Sequence, residues 1–149
     1  MKLRESMPEL TGATEWLNGE VTRDQLVGEK PTLFHFWSIS CHLCKKDMPQ
    51  INQFRDNFKD RLQVVAVHMP RSEQDLNMEE IKQVADEHNL TQPIFIDNER
   101  RLTAAFENQY VPAYYLFDKD GKLRHYQVGS CGKMLEKRVL RVIDEMEKA

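Results

Sequence analysis

Residues 34 to 49 read Phe34-His35-Phe36-Trp37-Ser38-Ile39-Ser40-Cys41-His42-Leu43-Cys44-Lys45-Lys46-Asp47-Met48-Pro49. An apolar run that passes straight into Cys-x-x-Cys reads as a buried strand, a turn and the start of a helix. Cys41 then stands where a helix N-terminus presents unsatisfied N–H groups and the positive end of the dipole, which favours thiolate over thiol. A thiol with a lowered pKa is a nucleophile near neutral pH. Cys44 lies almost one helical turn further on, close enough to attack a disulfide between Cys41 and another sulfur. The pair can therefore cycle between dithiol and disulfide.

Working outward, Thr32 to Ser38 is a nearly continuous apolar run, as expected of a strand covered on both faces, and a helix follows from Cys41 to about Asp60. Pro49 interrupts that helix, but Ile51, Phe54 and Phe58 continue its apolar stripe, so a kink is expected rather than a stop. Ahead of it, Asn18-Gly19 between Trp16-Leu17 and Glu20-Val21 predicts a hairpin within residues 1–27. Beyond it, Gln63 to His68 is a strand, Asn77 with Glu80 caps a helix running to about His88, and Pro93 to Ile96 is a short strand. Leu102 to Phe106 is a short helix. Ala113 to Phe117 and Leu123 to Val128 flank Asp118-Lys119-Asp120-Gly121 as a second hairpin, and Leu135, Val139, Val142, Ile143 and Met146 stripe a terminal helix. This order predicts one α/β domain over residues 1–149, with a mostly parallel sheet and an antiparallel edge.

The 149 residues suffice to bury a sizeable core, and 40% hydrophobic with 30% charged residues is ordinary for a globular chain. A formal charge of -3 provides no electrostatic footprint for nucleic acid or an anionic membrane. Three cysteines, two of them a close pair, do not make a disulfide-stapled secreted scaffold and point to redox or metal chemistry. Residues 1–10 contain no apolar signal-peptide core, so a cytoplasmic location is expected, as is a monomer.

The chain resembles the thioredoxin superfamily in more than its Cys-x-x-Cys. Phe36-Trp37 before the dithiol, Pro49 five residues after Cys44, Val111-Pro112 before a strand and Gly129 at the end of the next all stand where thioredoxin-like proteins carry them. The helix and strand within about residues 69–97 look like the insertion of the ResA and TlpA branch, whose members are thiol-disulfide oxidoreductases. The resemblance covers about residues 28 to 148. It implies a three-layer fold with a mixed central sheet flanked by helices, and exchange of the Cys41–Cys44 pair with protein disulfides, recharged by an upstream thiol reductant. It implies neither an organic cofactor nor a metal. Thioredoxin's Trp-Cys-Gly-Pro-Cys is Ser40-Cys41-His42-Leu43-Cys44 here, and a protonated His42 would stabilise the thiolate and make the disulfide more oxidising.

The resemblance also suggests roles beyond the dithiol. His35 holds the position of a buried Asp beneath the thioredoxin dithiol, where a neutral imidazole could exchange the Cys44 proton; otherwise it is a core histidine satisfied by backbone. Asp47 matches a titrating Glu of ResA-like proteins, or else is a solvated carboxylate near the helix start. Val111-Pro112 is expected to be cis and to lie against the dithiol, with its backbone pairing to substrate. Trp37 and His42 are expected beside the same surface, and Cys131 on a nearby turn as a passive, exposed or half-buried thiol. Zinc would need a second close ligand pair that is absent, leaving Cys131, His35, His68, His88 or His125 to supply ligands only by coincidence. A peroxidatic cysteine would carry Pro and Thr where Phe34 and Ser38 stand. The rival of another class is a non-catalytic thioredoxin-like binding domain whose dithiol holds a metal ion or a partner.

Overall fold

The computed structural model describes residues 1–148. Along the chain run β1 (Glu15–Leu17), α1 (Arg23–Leu26), β2 (Thr32–Trp37), α2 (His42–Asn57), β3 (Gln63–His68), α3 (Met78–Glu87), β4 (Ile94–Ile96), α4 (Arg101–Ala105), β5 (Ala113–Phe117), β6 (Leu123–Val128) and α5 (Gly132–Lys148). The strands form one sheet in the order β1-β4-β3-β2-β5-β6. β2 pairs parallel with β3 and β3 with β4, whereas β1–β4, β2–β5 and β5–β6 are antiparallel. The sheet is thus mixed, as the resemblance implies, and the mostly parallel sheet expected from the order of elements alone is corrected. Strand–helix–strand alternation yields parallel neighbours only if the helix carries the chain back along the strand. α4, with 5 residues, spans only about 7.5 Å. The chain accordingly enters β5 at the end of the sheet where it left β4: Ile96 pairs with His68, His68 with Trp37, and Ala113 with Phe36.

Side chains alternate across β2 and so define the layers. Phe34 and Phe36 enter a core with Met7, Leu10, Leu26, Leu102 and Phe106, beneath the N-terminal segment, α1 and α4. Leu33 and Trp37 face the other way, onto Ile51 and Phe54 of α2, Ile81 and Val84 of α3, and Val139 and Val142 of α5. β2 is buried at every position, so its near-continuous hydrophobicity is that of a strand covered on both faces.

The predicted N-terminal hairpin does not form. Asn18 and Gly19 do make the turn, with φ of +64° and +105°, but β1 pairs antiparallel with β4 instead of with residues after the turn. Asn18 Nδ2 donates to the carbonyls of Leu90 and Gln92 at 2.7 and 3.0 Å, tying the turn to the α3–β4 connection. Thr22 and Gln25 then form a capping box that diverts the chain into α1. The unit within residues 69–97 is present as α3 and β4, preceded by a 3₁₀ turn over Glu73–Leu76. Pro49 lies inside α2, which continues to Asn57.

Candidate active site

Cys41 is the N-cap of α2, with extended backbone at φ -92°, ψ 103°. Its Sγ accepts a hydrogen bond from the backbone N–H of Cys44 at 3.1 Å, using one of the donors a helix start leaves free. The two cysteines are joined as a disulfide with Cα atoms 5.3 Å apart, and both are nearly buried, at 4% and 3% exposure. The end of β3 anchors the approach to Cys41. His68 Nε2 accepts the Ile39 N–H at 3.2 Å, the Met69 N–H donates to the Trp37 carbonyl at 2.8 Å, and the Ser38 hydroxyl donates to the Met69 carbonyl. With Nε2 accepting, the neutral His68 ring carries its proton on Nδ1, and burial pushes its pKa down to about 4 against the opposing pull of Asp75.

Trp37, expected beside the active site, packs in one cluster with Cys41 and Cys44, 1% exposed and edge-on to His68 at 4.8 Å. It stands at the end of a strand buried on both faces. Val111 is half-buried against the cluster that contains Cys41 and Cys44, and the Val111–Pro112 peptide bond is cis. Ser40, His42 and Leu43 beside the dithiol are exposed, as is Tyr110, by 57%, next to Val111 in the chain.

His35 is buried at 3% exposure, but its partner is a side chain and not backbone. Arg55 Nη1 donates to Gln92 Oε1 at 2.8 Å, which orients the amide so that Gln92 Nε2 donates to His35 Nε2, also at 2.8 Å. Burial, and then the Arg55 charge, push the imidazole pKa down to about 3. A ring whose acceptor nitrogen is occupied and whose pKa is that low is a poor base for the Cys44 proton. In this structure His35 is a core histidine satisfied by the Gln92 side chain.

Asp47 is not a solvated carboxylate. It is 6% exposed and accepts from Tyr114 Oη at 2.8 Å, the Cys131 N–H at 2.9 Å and Ser130 Oγ at 3.2 Å. It therefore ties α2 to β5 and to the turn before α5. Burial and the neighbouring Asp47 raise the pKa of Tyr114. Cys131, expected to be exposed or half-buried, is 2% exposed; burial first, then Asp47, push its thiol up to about 11, and its Sγ donates to Gln50 Oε1 at 3.0 Å. That thiol is inert at neutral pH. Among the described residues no group of three His, Cys, Asp or Glu side chains converges as a metal site.

The residues missed by sequence reasoning are His68, Asp75 and Gln92. They stand 24 or more positions from the dithiol and carry no local motif, so only the pairing of β2 with β3 and the packing of the α3–β4 unit bring them close.

A strand-helix dithiol on this sheet, facing a loop before an antiparallel strand, defines a thioredoxin-fold thiol-disulfide oxidoreductase. The chain belongs to the AhpC/TSA family, whose sequence profile matches residues 3–126. It is 69% identical over 148 residues to the thiol-disulfide oxidoreductase YkuV of Bacillus subtilis (strain 168), covering 99% of this chain and 100% of that protein. The thiol-disulfide oxidoreductase ResA of Geobacillus thermodenitrificans (strain NG80-2) is 30% identical over 105 residues, 70% of this chain and 58% of that protein. Among solved structures, a thioredoxin-like protein in its oxidised form superposes with a TM-score of 0.91 at 69% identity, over 97% of this chain and 99% of that one. The chain is a thiol-disulfide oxidoreductase of thioredoxin-like fold.

Proposed function

We infer that the Cys41–Cys44 pair exchanges with disulfides of protein substrates, Cys41 as nucleophile and Cys44 as resolving thiol. The observation that carries this division is the N-cap position of Cys41, whose sulfur receives the Cys44 N–H at 3.1 Å. Negative charge on that sulfur is stabilised by the helix N-terminus, whereas Cys44 lies inside the first turn and gives its own N–H to Cys41 Sγ. In the reductive direction the Cys41 thiolate attacks one sulfur of the substrate disulfide, and the departing thiolate takes a proton from solvent. Cys44 then loses its proton and attacks Cys41 Sγ, releasing the second substrate thiol and leaving the Cys41–Cys44 disulfide. An upstream thiol reductant returns two electrons and two protons. His42 and Leu43, both exposed, with Val111 and Pro112 opposite, form the surface against which substrate backbone is held.

A cytoplasmic setting and a monomeric chain complete this reading. Cys131 remains a free, buried thiol beside a single redox pair, a pattern suited to a compartment that keeps thiols reduced. No described helix is long and apolar enough to cross a membrane.

Cys44→Ser tests the assignment. Mixed disulfides between Cys41 and substrate proteins should accumulate in that variant and not in Cys41→Ser, as read on non-reducing gels. Equal capture by both variants, or by neither, would overturn the division of roles.

A further inference from the structure

The three residues before Cys41 are held from the end of β3 and from the turn beyond it. The Ser38 hydroxyl donates to the Met69 carbonyl, His68 Nε2 accepts the Ile39 N–H, and Ser40 Oγ donates to Asp75 Oδ2 at 2.8 Å. Asp75 belongs to the 3₁₀ turn Glu73–Leu76 and is 1% exposed. The same oxygen accepts the Arg71 N–H, also at 2.8 Å, which is what a carboxylate does when it only closes its own turn.

Its charge, however, is left uncompensated. The Arg71 guanidinium donates through Nε and Nη2 to Ser40 Oγ at 3.2 and 3.1 Å, so the hydroxyl stands between cation and carboxylate. Asp75 Oδ1 and His68 Nδ1 are both enclosed and without a hydrogen-bond partner. His68 feels the Asp75 charge, yet burial outweighs it and leaves the ring neutral at pH 7. A buried carboxylate between a neutral ring and a hydroxyl exerts a field that solvent screens poorly. Because that hydroxyl belongs to the chain neighbour of Cys41, the field acts on Cys41 Sγ from no more than about 12 Å. The other ionisable groups around Cys41 are His42, Lys45 and Lys46 of α2, Glu73 and Glu80 beside Ser40, and the Tyr110 phenol before β5. Each of these is exposed or half-exposed and so better screened. Asp47, buried on α2, has three donors of its own.

We propose that Asp75 tunes Cys41: its buried charge opposes the helix N-terminus, disfavours the Cys41 thiolate and so tilts the pair toward giving up its electrons. In the disulfide Cys41 carries no charge, so the repulsion arises only on reduction and weighs against the dithiol. Asp75 is thus a positioning residue that acts on the reaction through Cys41 without touching substrate. The inference rests on Cys41 being the nucleophile.

The test compares variants by the pH profile of Cys41 alkylation, with mass mapping to identify the labelled cysteine, and by equilibrium with glutathione at about pH 8. In that equilibrium two glutathione thiols pass two electrons and two protons to the protein disulfide and become glutathione disulfide. Asp75→Asn, whose amide oxygen can still accept from Ser40 and Arg71, should lower the apparent pKa of Cys41 by about 0.5 and favour the dithiol about two- to threefold. Ser40→Ala breaks the contact but keeps the charge, and should not lower the pKa. Arg71→Gln, at an exposed side chain, removes the cation bound to Ser40 and should raise the pKa by about 0.3. Asp24→Asn, exposed on α1 across the sheet, loses an equal charge and should leave both readings at the parent's values. An unmoved or raised pKa in Asp75→Asn, or an equal fall in Ser40→Ala, would overturn the tuning. If Asp75→Asn does not fold, an unmoved pKa in Arg71→Gln would do the same. Faster labelling of Cys44 than of Cys41 in the parent would instead overturn the nucleophile reading, and the tuning with it.

Discussion

At the scale of single residues the site turns on where Cys41 and Asp47 place their charge. Cys41 sits at the first position of α2 with its sulfur already receiving the Cys44 N–H. Alkylation of the reduced protein should therefore be selective for Cys41, with an apparent pKa below the free-cysteine value of about 8.5. Mass mapping of an early time point checks it, and preferential labelling of Cys44 would reject it. Asp47 makes a contrasting case. Replacing it by alanine strands Tyr114 Oη and the Cys131 N–H without their acceptor, which should cost about 2–4 kcal/mol of stability in denaturant unfolding. The pH profile of Cys41 alkylation should stay where it was; a shifted profile would return Asp47 to the proton path. Helical spacing legibly placed Asp47 near Cys44, but its partners lie more than 60 residues away in sequence, so the same letter read as a solvated acid.

At the scale of elements, what was legible followed local rules. The strand before the dithiol, the Gln63–His68 strand and the Asn77 cap of α3 stand where periodicity and capping chemistry placed them. The hairpin failed for a reason that local rules do not contain: Asn18-Gly19 encodes a turn, but the edge of β4 competes for the strand that precedes it. α4 and its C-terminal Phe106 illustrate how little length an element needs when its packing is dense. The Phe106 ring lies 5.1 Å from Phe34, 5.1 Å from Phe36 and 4.9 Å from Tyr115, each edge-on. Phe106→Ala should lower stability by about 3–5 kcal/mol. Because this cluster occupies the sheet face opposite α2, the ratio of Cys41 to Cys44 alkylation rates should be unchanged, and a changed ratio would show that the two layers are coupled.

At the scale of the whole molecule, two buried histidines make stability depend on acidity. The folded-state pKa values of His35 and His68, about 3 and about 4, lie below the ordinary 6.5. Above that value both states are neutral and neither ring affects stability. As the pH falls below it the unfolded chain binds protons that the folded chain refuses, so stability drops, by about 1.4 kcal/mol per pH unit for each ring. The drop from His68 should end near pH 4 and that from His35 near pH 3. Denaturant unfolding at successive pH values checks this: His68→Gln should flatten the slope between pH 4 and 6 by about 1 kcal/mol per pH unit. An unchanged slope would mean that His68 is protonated in the folded state.

The redox pair, the strand and helix that present it and the class of chemistry are all written in the order of the residues. Each of these rests on contacts between near neighbours: a helix start beside Cys41, one turn to Cys44, an apolar run before them. What surrounds that pair comes from the folded chain. The direction of β5, the partner of β1, the Arg55–Gln92–His35 chain, the anchoring of Asp47 and the unpaired Asp75 oxygen all depend on segments 30 or more residues apart meeting across the sheet. Hydrogen bonds and burial between such segments are set by how whole layers pack, and no local pattern of residues encodes them.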